Sequence, residues 1–377
     1  MPRIRTQAEW PRGTVTRLPH RSEVLADNPW GDPVDREVSV YLPPGYSESD
    51  QPYVALWDLA AFTNAGPGHL NWRNHGENLP TRLDRLIGEG VMEPALVVIP
   101  DCYTSLGGNQ YVNSPSVGRY ADYLVEELVP FVESQFNLAR SRHGRAVFGK
   151  SSGGYGALYQ AMVYPDTWGA AASHAGDVGF DLLFRCEFPT VSGVLSGYDA
   201  DPLAFLQAFW RRNRPSGHDY TTLMILAMAA SYDPDPANPR GIQLPFDLRT
   251  CELDPERWQR WLAFDPLTLL DRHQDALRAL HALYIDVGQY DQYRIQFGTR
   301  RMVDMLAERG VPHRFEEFDG THSAIDWRLD HSLPLLVAAL NKALSESIYC
   351  TIDSTINIGA VSGHPEPADR QGYDQDY

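Results

Sequence analysis

The feature that most constrains this chain is the hexapeptide Gly149-Lys150-Ser151-Ser152-Gly153-Gly154, which follows the apolar triplet 146–148. An apolar run that breaks into glycines around a serine, and resumes as a helical pattern over about 154–164, reads as strand, sharp turn and helix. A serine at the apex of such a turn has strained backbone angles and no room for side chains beside it, and Gly149 and Gly153 leave that room. The turn exposes the Ser151 hydroxyl, while the helix N-terminus below it favours developing negative charge. Ser152 offers a second hydroxyl, but only Ser151 stands centrally between the two glycines.

The rest of the chain supplies a parallel sheet to hold such a turn. Residues 53–57, 95–99 and 146–148 are short apolar runs without alternation, as in strands buried on both faces. Residues 37–42 alternate and stop at Pro43-Pro44-Gly45, the pattern of an edge-type antiparallel strand. Helical spacing marks 81–89 and a longer stretch over 117–136. Further strands are expected at 169–173, 282–287 and 313–318, with helices at 295–309 and 333–344. Strands and helices alternating at this pace imply an α/β fold built on a mostly parallel sheet flanked by helices.

That rhythm breaks after Asp177. Residues 179–276 carry aromatic clusters, many prolines and a few short helices, and read as a cap-like insertion over the carboxyl ends of the strands. The expected organisation is therefore an N-terminal extension over 1–34, a core over 35–178 and 277–346, the insertion, and a polar tail over 347–377.

A serine hydroxyl is a poor nucleophile near neutral pH and needs a base within hydrogen-bond reach. The strand 313–318 runs into Asp319-Gly320-Thr321-His322, which places His322 on a glycine-containing loop at a strand's carboxyl end. His281, His313 and His331 fit worse, because they begin or precede regular elements. Asp291, in Gly288-Gln289-Tyr290-Asp291 after strand 282–287, is the expected acid that orients the imidazole. Its competitors are Asp177 and Asp286. Two backbone N–H groups are expected to hold an oxyanion: that of Ser152, and one from the loop after strand 53–57, Ala60 first and Leu59 next.

With these motifs on the page, the chain resembles the esterase family that includes S-formylglutathione hydrolases, enterochelin esterases, feruloyl esterases and mycolyltransferases. The resemblance rests on Asp58-Leu59-Ala60, Pro100-Asp101-Cys102, Gly107-Gly108-Asn109-Gln110-Tyr111, the Ser151 turn, Gly288 with Asp291, and Gly320-Thr321-His322 followed by Trp327. It implies the α/β-hydrolase fold and cofactor-free hydrolysis of carboxylic esters or thioesters through an acyl-enzyme. Asp58-Leu59 departs from the His-Gly or Asp-Gly common in that family, and the insertion is a second departure. Asn109, Gln110, Tyr111, Asp177 and Trp327 are candidates for substrate contact, and the aromatics Phe184, Phe188, Tyr198, Phe209, Trp210 and Tyr232 for an apolar pocket or the insertion's own core. An acyltransferase, an amidase or peptidase using the same triad, and a non-catalytic binder are the competing functions.

Composition narrows the partners. A net charge of −17 argues against nucleic acid and mildly disfavours polyanionic substrates, although a local basic pocket could overrule the average. No run of about 18 apolar residues suggests a membrane span, and the basic start lacks an apolar stretch behind it, so a cytoplasmic location is expected. Cys102, Cys186, Cys251 and Cys350 form no CxxC pair or zinc spacing, so free thiols and no metal are expected, with a Cys186–Cys251 bridge as the alternative. The expected partner is a small-molecule ester, and homo-oligomerisation stays open.

Overall fold

The computed structural model describes residues 10–235, 237 and 240–359. Eight strands form one sheet in the order β1 (Thr14–Arg21), β2 (Asp35–Leu42), β4 (Leu96–Pro100), β3 (Ala55–Leu59), β7 (Arg145–Lys150), β8 (Ala170–His174), β9 (Ala282–Gly288), β10 (Arg314–Phe318). The pairs β1–β2 and β2–β4 are antiparallel, and every later pair is parallel. A two-stranded hairpin, β5 (Asn113–Ser114) with β6 (Gly118–Arg119), stands apart from it. The mostly parallel sheet and its flanking helices are those of the α/β-hydrolase fold.

Alternation within the central strands feeds two cores. Leu96 and Val98 of β4 and Val147 of β7 face one, with Tyr155, Leu158 and Met162 of α4 (Ser152–Val163). Val97, Ile99, Ala146 and Phe148 face the other, with α1 (Leu79–Gly88) and α12 (Leu329–Gly359). Both faces are apolar because both are covered, which is why these strands show no polar alternation in sequence. Asn78 starts α1 by accepting a hydrogen bond from the Thr81 N–H at 3.0 Å.

Three expectations need correction. The strand at 37–42 is not an edge, because β1, inside the expected N-terminal extension, pairs along its whole length. The strand expected at 53–57 lies two residues later, since Asp58 is buried in β3 against His69 rather than opening a loop. The single helix expected over 117–136 is three pieces: α2 (Tyr120–Asp122), a wide π-type turn (Tyr123–Leu128) and α3 (Val129–Gln135). Gly118, at φ 128°, holds the chain in β6 before α2. Pro130 lacks an N–H and its ring crowds the carbonyl four residues back, so the ladder loosens before it.

Between β8 and β9 come α5 (Phe180–Leu183), α6 (Phe188–Leu195), α7 (Pro202–Arg211), α8 (Gly217–Tyr232), α9 (Pro255–Leu262) and α10 (Pro266–Arg278). Their aromatics pack on one another: Phe188 stacks on Phe246 at 4.3 Å between ring centres, and Phe184, Trp258, Trp261 and Tyr232 close around them. The buried Asp265 accepts from the N–H groups of Gly179, Phe180 and Leu267, tying the start of this stretch to the start of α10. α10 itself packs against α4 and α11 (Ile295–Glu308), in the layer next to the sheet. Helix α12 runs to Gly359, beyond the expected end of the last helix, and the remaining expected tail, 360–377, lies outside the described residues.

Candidate active site

β7 ends at Lys150, and α4 begins at Ser152, so Ser151 is the whole of the turn between them. Its backbone sits at φ 56°, ψ −124°, a strained conformation for a residue with a Cβ, costing ~1–3 kcal/mol. Two bonds hold it there: the Ser151 N–H donates to the His174 carbonyl at 2.9 Å, and its own carbonyl accepts from the Tyr155 N–H at 2.8 Å. The turn also presses against β3. A Cβ on Gly153 would fall 1.9 Å from the Leu59 carbonyl oxygen, so only glycine fits.

The loops after β9 and β10 are laced together. The N–H of Gln289 donates to the Phe318 carbonyl, and that of Tyr290 to the Gly320 carbonyl, both at 2.9 Å. A Cβ on Gly288 would meet the Gly320 oxygen at 2.5 Å, so the close crossing depends on a glycine. The crossing brings Asp291 and His322 together: Nδ1 of the ring lies 2.7 Å from Oδ2 of the carboxylate, both residues buried. The Gln292 side chain accepts from the His322 N–H at 3.0 Å, and the Tyr293 ring packs edge-on at 4.9 Å. With Nδ1 committed to the carboxylate, Nε2 is the nitrogen left to face a reacting group.

Ser151 and His322 line one pocket of about 420 Å³ with Ser152, Asp177, Lys150 and Tyr293. Its remaining walls are Ala61-Phe62-Thr63 after β3, and Leu183, Tyr220, Thr221 and Met224 from the stretch after β8. Asp177 reaches the hydroxyls of Ser152 and Ser151 and the Gln110 amide. Burial pushes its carboxyl up to about 7, these hydrogen bonds pull the other way, and the Asp291 charge adds to the rise.

Other expected contacts lie elsewhere. Asn109, Gln110 and Tyr111 are buried behind the turn and do not line this pocket. Gln110 donates to the Ser152 hydroxyl at 2.8 Å and accepts from Tyr232, while the Tyr111 hydroxyl donates to the Ala60 carbonyl at 2.6 Å. A polar loop after two glycines looks solvent-facing in sequence, and nothing there signals that the Ser152 hydroxyl and Tyr232 will satisfy it. Leu59 and Ala60 lie under the turn and do not line the pocket, whose wall begins at Ala61. Trp327 is exposed and packs on Phe318, His331 and Arg328. None of the aromatics Phe184, Phe188, Tyr198, Phe209, Trp210 and Tyr232 lines the pocket. Gln292, Tyr293 and Lys150 carry no motif of their own; the signal for them is that each stands one or two residues from a motif residue.

A second Ser-His-Asp set exists in the core. His174 Nδ1 lies 2.9 Å from Asp286, and its Nε2 lies 2.8 Å from the Ser332 hydroxyl. All three are fully buried, and Asp286 also takes Arg328, so this set braces β8, β9 and α12. Asp286 is thereby occupied and is not the partner of His322.

Among the described residues no group of acids, histidines and cysteines is arranged to hold a metal ion, and no helix is long and apolar enough to cross a membrane. Cys102, Cys186 and Cys251 are free, so Cys186 and Cys251 do not pair. The Cys350 side chain lies outside the described residues.

The sequence profile of the Esterase family, described as "Putative esterase", matches residues 33–334. The chain belongs to this esterase family. Esterase Rv1288 of Mycobacterium tuberculosis is 36% identical over 145 residues, covering 37% of this chain and 28% of that protein. The MPT51/MPB51 antigen of the same organism is 34% identical over 126 residues, covering 32% of this chain and 37% of that protein. The matches thus span 28% and 37% of the length of these two curated relatives. Among solved structures, a ferulic acid esterase superposes with a TM-score of 0.58 at 19% identity, covering 87% of this chain and 99% of its own. The S-formylglutathione hydrolase of Staphylococcus aureus gives 0.52 at 15% identity, covering 86% and 99%. At such identities the structural likeness speaks for the fold, and the family membership rests on the sequence profile.

Proposed function

We propose that this member of the esterase family is a serine hydrolase that cleaves small-molecule carboxylic esters or thioesters through an acyl-enzyme on Ser151. The observation that carries the reading is that the strained Ser151 turn and the Asp291-bound His322 ring open onto one pocket. His322 takes the Ser151 proton through Nε2 as the hydroxyl attacks the carbonyl, then returns it to the leaving alcohol or thiol. Asp291 keeps the proton on Nδ1 and stabilises the imidazolium without taking the proton itself. The N–H of Ser152, at the head of α4, and the backbone of the Ala60–Ala61 turn hold the oxyanion. Water then repeats the cycle on the acyl-enzyme.

No step calls for a cofactor. In this reading the stretch 179–276 acts as the cap: Leu183 and the α8 residues Tyr220, Thr221 and Met224 close the pocket opposite Ser151. A fluorophosphonate probe tests the assignment. It should label the wild type and not Ser151→Ala, and wild type should turn over short p-nitrophenyl esters saturably. Labelling that survives in the variant, or no turnover of any ester, overturns the proposal.

A further inference from the structure

Of the 32 lysines and arginines in the chain, only Lys150 and Lys342 are lysines, and one of them directly precedes the proposed nucleophile. Lys150 lines two cavities. It lines the pocket of Ser151 and also a cavity of about 190 Å³ behind the turn, and the two share Ala61. The second cavity is walled by charge: Asp58, His69, Arg73, Glu77, Arg82 and Asp326.

Each of those groups already has a partner. His69 pairs with Asp58, Arg73 with Asp326, Arg82 with Asp330, and Glu77 with Arg85. Burial works against the charge on His69, but the adjacent Asp58 carboxylate outweighs it and raises the ring's affinity for a proton, so that pair is closed. Lys150 differs. Among the described residues its ammonium makes no hydrogen bond or ion pair. Burial lowers its proton affinity, and Asp326 and Asp291 pull the other way from beyond ion-pair distance, each already held by Arg73 or His322.

A half-buried ammonium with no counter-ion is costly, and an anion that enters beside it relieves that cost. Lys150 is thus the basic side chain of this wall without an ion-pair partner, and a single carboxylate would supply one. A phosphate dianion would bring a second charge up against Asp58, Glu77 and Asp326, in a protein of net charge −17.

We propose that this cavity is a subsite for a carboxylate carried by the substrate, paired with Lys150 while the scissile carbonyl lies over Ser151. The preferred substrates are then esters or thioesters whose acyl or leaving part ends in a carboxylate, such as half-esters of dicarboxylic acids. This deepens the esterase reading and rests on it.

The test separates the two. In Ser151→Ala, which cannot turn over, calorimetry compares the p-nitrophenyl half-ester of glutaric acid with neutral p-nitrophenyl butyrate. The half-ester should bind about tenfold more tightly, the gain of one charge-assisted contact, and the gain should vanish on adding Lys150→Met and persist with Lys150→Arg. Glutarate against its neutral diamide, measured as competitors with Lys150 unaltered, should show the same preference and covers the case in which Lys150→Met folds poorly. Equal binding of charged and neutral ligands in either format overturns the subsite. Failure of the esterase reading appears separately, as tight binding of the half-ester by wild type without its hydrolysis.

Discussion

Two buried histidines among the described residues each hold a carboxylate on Nδ1, yet only one shares a pocket with Ser151. His174 spends its second nitrogen on Ser332 in the core, whereas His322 presents Nε2 to the cavity that Ser151 lines. What separates the two sets is the second ring nitrogen, committed to Ser332 in His174 and without a partner among the described residues in His322. Asp291→Asn should lower kcat on p-nitrophenyl acetate about ten-thousandfold, because the amide favours the wrong ring tautomer while leaving the loops in place. A loss below about tenfold would shift the acid's role away from Asp291, with Asp177 next in line. Asp177 makes a second prediction, about stability. Burial pushes its carboxyl up to about 7, above the usual value of 3.8, with the Ser152 hydrogen bond opposing. A carboxyl raised on folding binds more protons in the folded state, so its penalty is small below about pH 4 and grows as pH rises towards about 7. Asp177→Asn should therefore raise Tm relative to wild type at about pH 8 more than at about pH 5, as scanning calorimetry can show. A difference that shrinks as pH rises would mean that the carboxylate is stabilised where it stands.

At the scale of elements, what could be read in the sequence was whatever follows from chain-local physics. The Ser151 turn is legible because its glycines are demanded by contacts that any side chain would break, as the Leu59 oxygen against Gly153 demonstrates. The central strands are legible because both faces are apolar. The loops carrying Asp291 and His322 could be located at strand ends, but their crossing at Gly288 and Gly320 could not, since nothing local records which loop a glycine will meet. The same gap explains Asn109, Gln110 and Tyr111. Their partners, Ser152, Tyr232 and the Ala60 carbonyl, lie up to 122 residues away, so a buried polar scaffold reads as a solvent loop. Asp58 misled for a related reason: a charge inside a strand is credible only once its partner His69 is known. The break at Pro130 is legible in the sequence against the surrounding helical spacing, because a proline in mid-helix removes a bond whatever its neighbours do.

For the molecule as a whole, the sheet must end somewhere, and both ends carry charge. β10 presents Arg314, Glu316 and Glu317, and β1 presents Arg17, Pro19 and Arg21, residues that discourage another strand from pairing. β1 buries little of itself, since its residues are exposed or half-exposed throughout, so its contribution is not to the core. It instead covers β2, where Val38, Val40 and Tyr41 are fully buried and the backbone would otherwise offer a row of unpaired N–H and C=O groups. Removing residues 1–21 should thus leave the site's geometry intact, because β2 is separated from β7 by β4 and β3. It should also convert β2 into an apolar edge that recruits a second molecule. Light scattering across a dilution series is the measurement: the truncated chain should gain mass with concentration more steeply than the full chain, and added Arg or Lys on β2's outward positions should suppress that gain. A truncated chain that scatters like the full one at every concentration would show that β1 is dispensable as an edge guard, and that the exposed and half-exposed charges of β2, Asp35 and Glu37, already suffice.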